Sequence, residues 1–299
     1  MKKLLLSAFV ICLAGTSIAQ ESPLWMRHCA LSPDGTTIAF TYKGDIYTVP
    51  STGGRATQIT TNPAFDTEPV WSPDSKQIAF ASDRMGSLDV FVVSSEGGAP
   101  QRLTTHSGSE KPVAYKDNKH ILFTANIAPS AEDAGFPSGQ FQQVYEVAVT
   151  GGRPAMFSSM PMECISINKE GVMLYQDKKG YEDYWRKHQV SPIARDIWTY
   201  TPGKKPVYQK QTTFGGEDRE PVWSPDGKSF YYLSEEKGSF NIFQRTPGTT
   251  TSQQITFHTK HPVRFLSIST TGTLCYGYDG EIYTCLLYTS PSPRDGLLS

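Results

Sequence analysis

Short runs of β-branched, aromatic and aliphatic residues alternate with Gly, Pro, Asp and Ser over most of the chain. "VWSPDG" (222–227) is a strand entering a tight turn, with Pro where φ near −65° is wanted, Asp next and Gly closing. "TIAF" (37–40), "QIAF" (77–80) and "SFYY" (229–232) are β-formers leaving the same turn, which predicts a hairpin. "DIYTVP" (45–50) and "DVFVVS" (89–94) alternate apolar positions, as a strand with two distinct faces does. A Gly-Gly pair follows, where positive φ is cheap, and then a short strand ending in Thr.

These signals recur in order. The turn marker falls at Asp34, Asp74, Asp117, Glu170, Asp226 and Thr271, at spacings of 40 to 56 residues. A second marker begins at Asp45, Asp89, Gln143, Asp196, Asn241 and Glu281. Gly pairs stand at Gly53-Gly54, Gly97-Gly98 and Gly151-Gly152, and the Thr-ended strand at Thr60, Thr104 and Thr256. Four antiparallel strands per repeat make one blade of a β-propeller, and the repeat predicts an all-β propeller of five blades plus the start of a sixth. A blade cannot bury both apolar faces alone, so blades must stack around an axis. The sixth repeat stops after its third strand, which predicts an open, edge-exposed arc of low stability. Two long spacings hold insertions at Asn126–Gln142 and Asp177–Trp198, the kind of loop that gathers on one binding face.

Composition agrees. Aromatics are 12% of residues beside 25 Gly and 21 Pro, favouring many short strands. A net charge of −1 offers no footprint for nucleic acid or anionic membrane. The first 19 residues carry Lys2 and Lys3, an apolar Leu4–Ala14 and small residues at Ser17 and Ala19, the pattern of a secretory signal peptide cut after Ala19. No other apolar run reaches the ~18 residues of a membrane span. The domain expectation is therefore a signal at 1–19, propeller repeats over 20–284 and a non-native tail at 285–299. The tail, "CLLYTSPSPRD" (Cys285–Asp295), lacks repeat logic and resembles a translated sequencing adapter. Cys29, Cys164 and Cys275 are odd in number and far apart, which suits buried apolar side chains better than a disulfide framework.

Candidate chemistry is thin. Glu182, Asp183, Arg186, Lys187 and His188 cluster in the second insertion without a nucleophile, and salt-bridged loop residues account for them better than acid–base catalysis. Asp45, Asp89 and Asp196 recur once per blade, as residues that hydrogen-bond within their own blade do. His28, His106, His258 and His261 read as scattered on turns, without a metal-binding spacing. There is no GxSxG elbow, P-loop or dinucleotide motif. The residues name no catalytic, cofactor-binding or metal site.

At "SPDG…IAF…DIY…GG…QIT" the chain resembles TolB-type propeller repeats. "KGYEDYWRKHQVSPIARDIW" (Lys179–Trp198) is similar to the N-terminal propeller of secreted bacterial tricorn-type proteases. The resemblance runs from Glu21 to Thr284. It implies a parent in which further β modules, a PDZ-like domain and a serine protease core follow the propeller. It also implies that the propeller gates or guides peptides to that core. No position here matches the family's catalytic residues. Two alternatives stay open: a non-catalytic TolB-like periplasmic module that binds protein partners, and the propeller of a prolyl-oligopeptidase-type enzyme. The signal runs straight into the first repeat, leaving no room for the α/β domain that usually precedes a TolB propeller.

Overall fold

The computed structural model describes residues 25–127, 141–180 and 190–287. Its described residues form 23 strands in six antiparallel sheets. Blade 1 is β1 (Arg27–Leu31), β2 (Thr37–Tyr42), β3 (Asp45–Pro50) and β4 (Thr57–Gln58). Blade 2 is β5 (Asp66–Trp71), β6 (Gln77–Ser82), β7 (Asp89–Ser94) and β8 (Gln101–Arg102). Blade 3 is β9 (Lys111–Asp117), β10 (His120–Ala125), β11 (Gln143–Ala148) and β12 (Ala155–Ser158). Blade 4 is β13 (Met162–Ile167), β14 (Met173–Asp177), β15 (Ile197–Thr201) and β16 (Val207–Lys210). Blade 5 is β17 (Asp218–Trp223), β18 (Phe230–Ser234), β19 (Asn241–Arg245) and β20 (Ser252–Gln254). Blade 6 has three strands, β21 (Arg264–Ile268), β22 (Thr273–Tyr278) and β23 (Glu281–Leu286). Strand order within each sheet follows the chain.

The turn signals fold as their chemistry dictates. Ser32, Ser72 and Ser224 each donate to the marker carboxylate two residues on, at 2.6, 2.7 and 2.6 Å. Gly35 (φ 77°) and Gly227 (φ 67°) close the turn in the left-handed region. The Trp of each "VWSPD" copy reaches the preceding blade. Trp71 Nε1 donates to the Ala30 carbonyl at 2.8 Å, and Trp223 Nε1 to that of Val172 at 3.1 Å.

The core lies between blades. Six apolar clusters occupy the six junctions, as in Ile46 and Ile59 of blade 1 against Trp71, Ile78 and Phe80 of blade 2. The expectation of an open arc is corrected by the sixth cluster. Cys29, Leu31, Ile38 and Phe40 of blade 1 pack on Cys275 and Ile282 of blade 6. First strands touch around a complete cycle, β1 to β5, β9, β13, β17, β21 and back to β1. The ring closes because inter-blade packing runs through inner strands. Fourth strands lie outermost and are as short as two residues (β4, β8), so the lack of one in blade 6 leaves the junctions intact. Cys29 and Cys275, 246 positions apart in sequence, meet in the cluster at this closure. Strand β23 also runs two residues past Thr284 in register with β22.

Candidate functional site

Each first strand begins at one rim of the ring and ends in the turn marker at the other. The second-to-third-strand connections share the starting rim, so both insertions emerge there, beside the start of every first strand. The sixth residue before each turn marker is His28, Glu68, Lys111, Cys164, Glu220 or Phe265. In five blades this residue sits in a β-bulge with positive φ: His28 49°, Glu68 55°, Cys164 51°, Glu220 49° and Phe265 59°. A bulge re-aims a side chain and adds twist, which a strand beside the axis needs. The left-handed backbone costs these residues about 1 kcal/mol each.

The six positions converge. Lys111 Nζ lies 2.6 Å from Glu68 Oε1. The His28 ring tilts against Phe265 with centroids 4.8 Å apart, and His28 Nδ1 shares a hydrogen bond with Thr67 Oγ1 at 3.1 Å. Burial lowers the His28 pKa against the pull of Glu68, and Lys111 and Arg27 lower it further, so the ring is neutral at neutral pH. Glu220 accepts the Leu266 N–H at 2.8 Å, yet burial raises its carboxyl despite Arg219 and Arg264. Cys164 presents accessible surface, contrary to the expectation of a buried thiol. Burial, then Glu220, Glu163 and Glu68, push its pKa well above the usual thiol value. Cys164 thus keeps accessible surface among carboxylates of blades 2, 4 and 5, which marks an open channel along the axis at this ring. Beside it, burial acts to raise Glu163, but Arg195 at 3.2 Å and Lys178 at 3.3 Å outweigh it and hold the carboxyl low.

The two rims differ. At the turn-marker rim neighbouring blades are laced together: Asp34 N–H donates to Ser75 Oγ (3.1 Å), Asp74 N–H to Asn118 Oδ1 (3.1 Å) and Thr270 N–H to the Pro33 carbonyl (2.8 Å). The insertion rim carries Trp25, Phe65, Met85, Met160, Val190 and Phe257, all exposed. Exposed apolar side chains around the channel suit this rim for contact with another molecule.

The residues singled out in sequence fall as follows. Asp45 accepts from Gln58 (3.0 Å) and Thr60 (3.3 Å) in its own blade. Asp89 pairs with Arg102 and Asp196 with Lys210, each 2.8 Å away on its own fourth strand. The marker Thr residues receive the backbone N–H after the second marker: Ile46 to Thr60, Val90 to Thr104, Ile242 to Thr256. Thr212, overlooked in sequence, does the same for Ile197, and "QTT" (211–213) is its signal. His28 lies in β1 rather than on a turn, while His258 stacks on Tyr278 (3.9 Å) and His261 lies 3.2 Å from Asp279. Glu182, Asp183, Arg186, Lys187 and His188 lie outside the described residues. No group of three metal-ligating side chains occurs among the described residues. The channel ring itself was missed, although a fixed offset from the marker would have found it.

The family model of the tricorn protease N-terminal β-propeller domain matches residues 23–290. The chain belongs to the tricorn N-terminal propeller family. It is 39% identical over 213 residues to tricorn protease homolog 1 of Streptomyces coelicolor, covering 71% of this chain and 19% of that protein. The chain thus spans about a fifth of that relative's length. The crystal structure of the tricorn protease superposes with a TM-score of 0.73 at 17% identity, over 91% of this chain and 27% of that one. TolB from Acinetobacter baumannii superposes with a TM-score of 0.65 at 15% identity, over 85% of this chain and 62% of that one. At these identities the two structures speak for the fold.

Proposed function

We propose that this chain is the propeller portion of an exported tricorn-like serine peptidase, and that its insertion rim and channel receive peptides and guide them to a catalytic core elsewhere in the parent protein. The observation that carries this reading is one rim gathering three features in a tricorn-family propeller: the six-residue ring, both insertions and exposed aromatic side chains. Mixed carboxylates, Lys111, neutral His28 and Phe265 suit an unspecific peptide, whose backbone needs donors and acceptors and whose side chains need apolar contact. Export is inferred from the N-terminal Lys2, Lys3 and Leu4–Ala14 pattern with Ala19 at the cleavage point.

Cys164 supplies the test. In native-length protein, a bulky maleimide is attached to Cys164 at alkaline pH until labelling is complete, with Cys164→Ser treated in parallel to account for labelling elsewhere. Labelling is expected to suppress cleavage of long peptides while sparing a single-residue amide substrate. Unchanged cleavage of long peptides after complete labelling overturns channel passage. A native-length protein with no amide hydrolysis at all favours the binding-module alternative.

A further inference from the structure

The same backbone hydrogen bond ties five of the six blade junctions. An N–H at the start of a first strand donates to the carbonyl just before the second marker of the preceding blade. The pairs are Asp66 to Gly44 (2.7 Å), Glu110 to Leu88 (2.7 Å), Asp218 to Arg195 (3.0 Å), Val263 to Phe240 (3.0 Å) and Met26 to Gly280 (3.2 Å). At three of them this bond sets a carboxyl of one blade beside a carboxyl of the next: Asp45 with Asp66, Asp89 with Glu110, Asp196 with Asp218.

The three pairs are neutralised differently. At the first, Arg84 Nη2 donates to both Asp66 oxygens at 3.0 Å. At the second, Asp89 and Glu110 are both 0% exposed. Arg102 lies 2.8 Å from Asp89, and among the described residues no cation pairs with Glu110 and neither of its oxygens accepts a well-aligned hydrogen bond. Around Glu110 stand Asp89, the Thr104 hydroxyl and the His106 backbone. At the third, Asp196 and Asp218 are 3% and 1% exposed. Lys179 and Lys210 both serve Asp196, with Asp177 close by. Among the described residues neither Asp218 oxygen accepts a well-aligned hydrogen bond. It faces Asp196, Glu236, Ser234 and Thr212. Ten residues past the turn marker, where blade 2 has Arg84, blade 5 has Glu236. The sister blade's cation is replaced by another carboxylate. A buried carboxylate left without a cation is strongly disfavoured, and the proton is the smallest ligand that removes the charge.

We propose that the junctions between blades 2 and 3 and between blades 4 and 5 are proton-binding sites, each holding one proton between its two carboxyl groups, and that these protons keep the neighbouring blades together. Arg102 offsets Asp89 in part, burial still raising its carboxyl, and the two lysines offset Asp196, so Glu110 and Asp218, without a cation of their own, are the neutral partners. Burial drives both upward, Asp218 to about 7. The folded state therefore binds protons that the unfolded chain releases above its ordinary carboxylate value. The stabilisation is full at acidic pH, declines as pH rises, and for Asp218 is gone above about 7. This inference stands apart from peptide passage and fails or holds independently of it.

The test is thermal unfolding of the full chain from about pH 5 to about pH 8.5. The wild-type midpoint is expected to fall by roughly 5 °C or more across this range. The Glu110→Gln, Asp218→Asn double variant, whose amides cannot ionise, is expected to lose that slope and to melt above wild type at the alkaline end. Asp66→Asn, at the Arg84-neutralised junction, is expected to melt lower throughout with the slope intact. Infrared spectroscopy of wild type at neutral pH is expected to show the carbonyl stretch of a neutral carboxylic acid. A wild-type midpoint that is flat or rises with pH overturns the proposal, as does an unchanged slope in the double variant or absence of the neutral-acid band. Calcium raising the alkaline midpoint of wild type but not of the double variant also overturns it, in favour of a metal site.

Discussion

At the residue scale, the repeated polar side chains act chiefly as backbone partners. Thr104 is 1% exposed, and its Oγ1 accepts the Val90 N–H at 2.9 Å where the fourth strand ends. Thr104→Val keeps the shape and removes the acceptor, leaving a buried N–H unpaired. The expected loss is about 1–3 kcal/mol in denaturant unfolding, with an unchanged m-value. The tryptophans of the two "VWSPD" copies follow the same logic across blades. Trp71→Phe keeps most of the packing and removes the cross-blade hydrogen bond to the Ala30 carbonyl, costing about 1 kcal/mol by the same measurement.

At the element scale, the first strand is the specialised one. Five of the nine non-glycine residues with positive φ among the described residues lie at one repeat position, the channel bulge. Side-chain identity varies there from His to Phe while the backbone conformation persists. The conformation thus belongs to the strand's place beside the axis rather than to any one residue's preference. A β-branched residue is the poorest occupant of the left-handed region, and Asn among the best tolerated. Cys164→Val is expected to destabilise by about 1–2 kcal/mol, while Cys164→Asn stays within about 0.5 kcal/mol of wild type. Equal effects from the two changes would mean that the bulge relaxes at no cost.

For the whole molecule, closure of the ring is the decisive feature. Gly35 and Gly171 occupy the same turn position with the same φ of 77°. A Cβ on Gly171 meets nothing within 4 Å, whereas on Gly35 it meets Ser269 Cβ at 3.2 Å and Thr271 Oγ1 at 3.3 Å in blade 6. Both alanine substitutions carry the left-handed strain of about 1 kcal/mol. Gly35→Ala is expected to lower the melting midpoint further than Gly171→Ala, because only it presses on blade 6. Identical shifts would contradict a closed ring.

Blade number, strand order and turn chemistry were legible in the sequence because they are local. A Pro-Asp-Gly turn, a period-two strand and a Gly pair each act within a few residues, and six repetitions averaged out the weak copies. That Asp45, Asp89 and Asp196 find partners within their own blade was legible for the same reason, since those partners lie about fifteen residues on, but the partners are side chains, cations for Asp89 and Asp196, rather than the backbone or turn groups expected. Contacts between blades were not legible. Clustering of Cys29 with Cys275, closure of blade 6 on blade 1, and the neighbouring carboxyls of Asp196 and Asp218 join positions 22 to 246 residues apart. The sequence by itself determined the blade, because hydrogen-bonded hairpins are specified by nearest neighbours. Only the tertiary structure decided that the blades form a closed ring, which side chains converge on its axis and which buried charges go unpaired. Those outcomes depend on the curvature accumulated over six twisted sheets, a quantity no single repeat encodes.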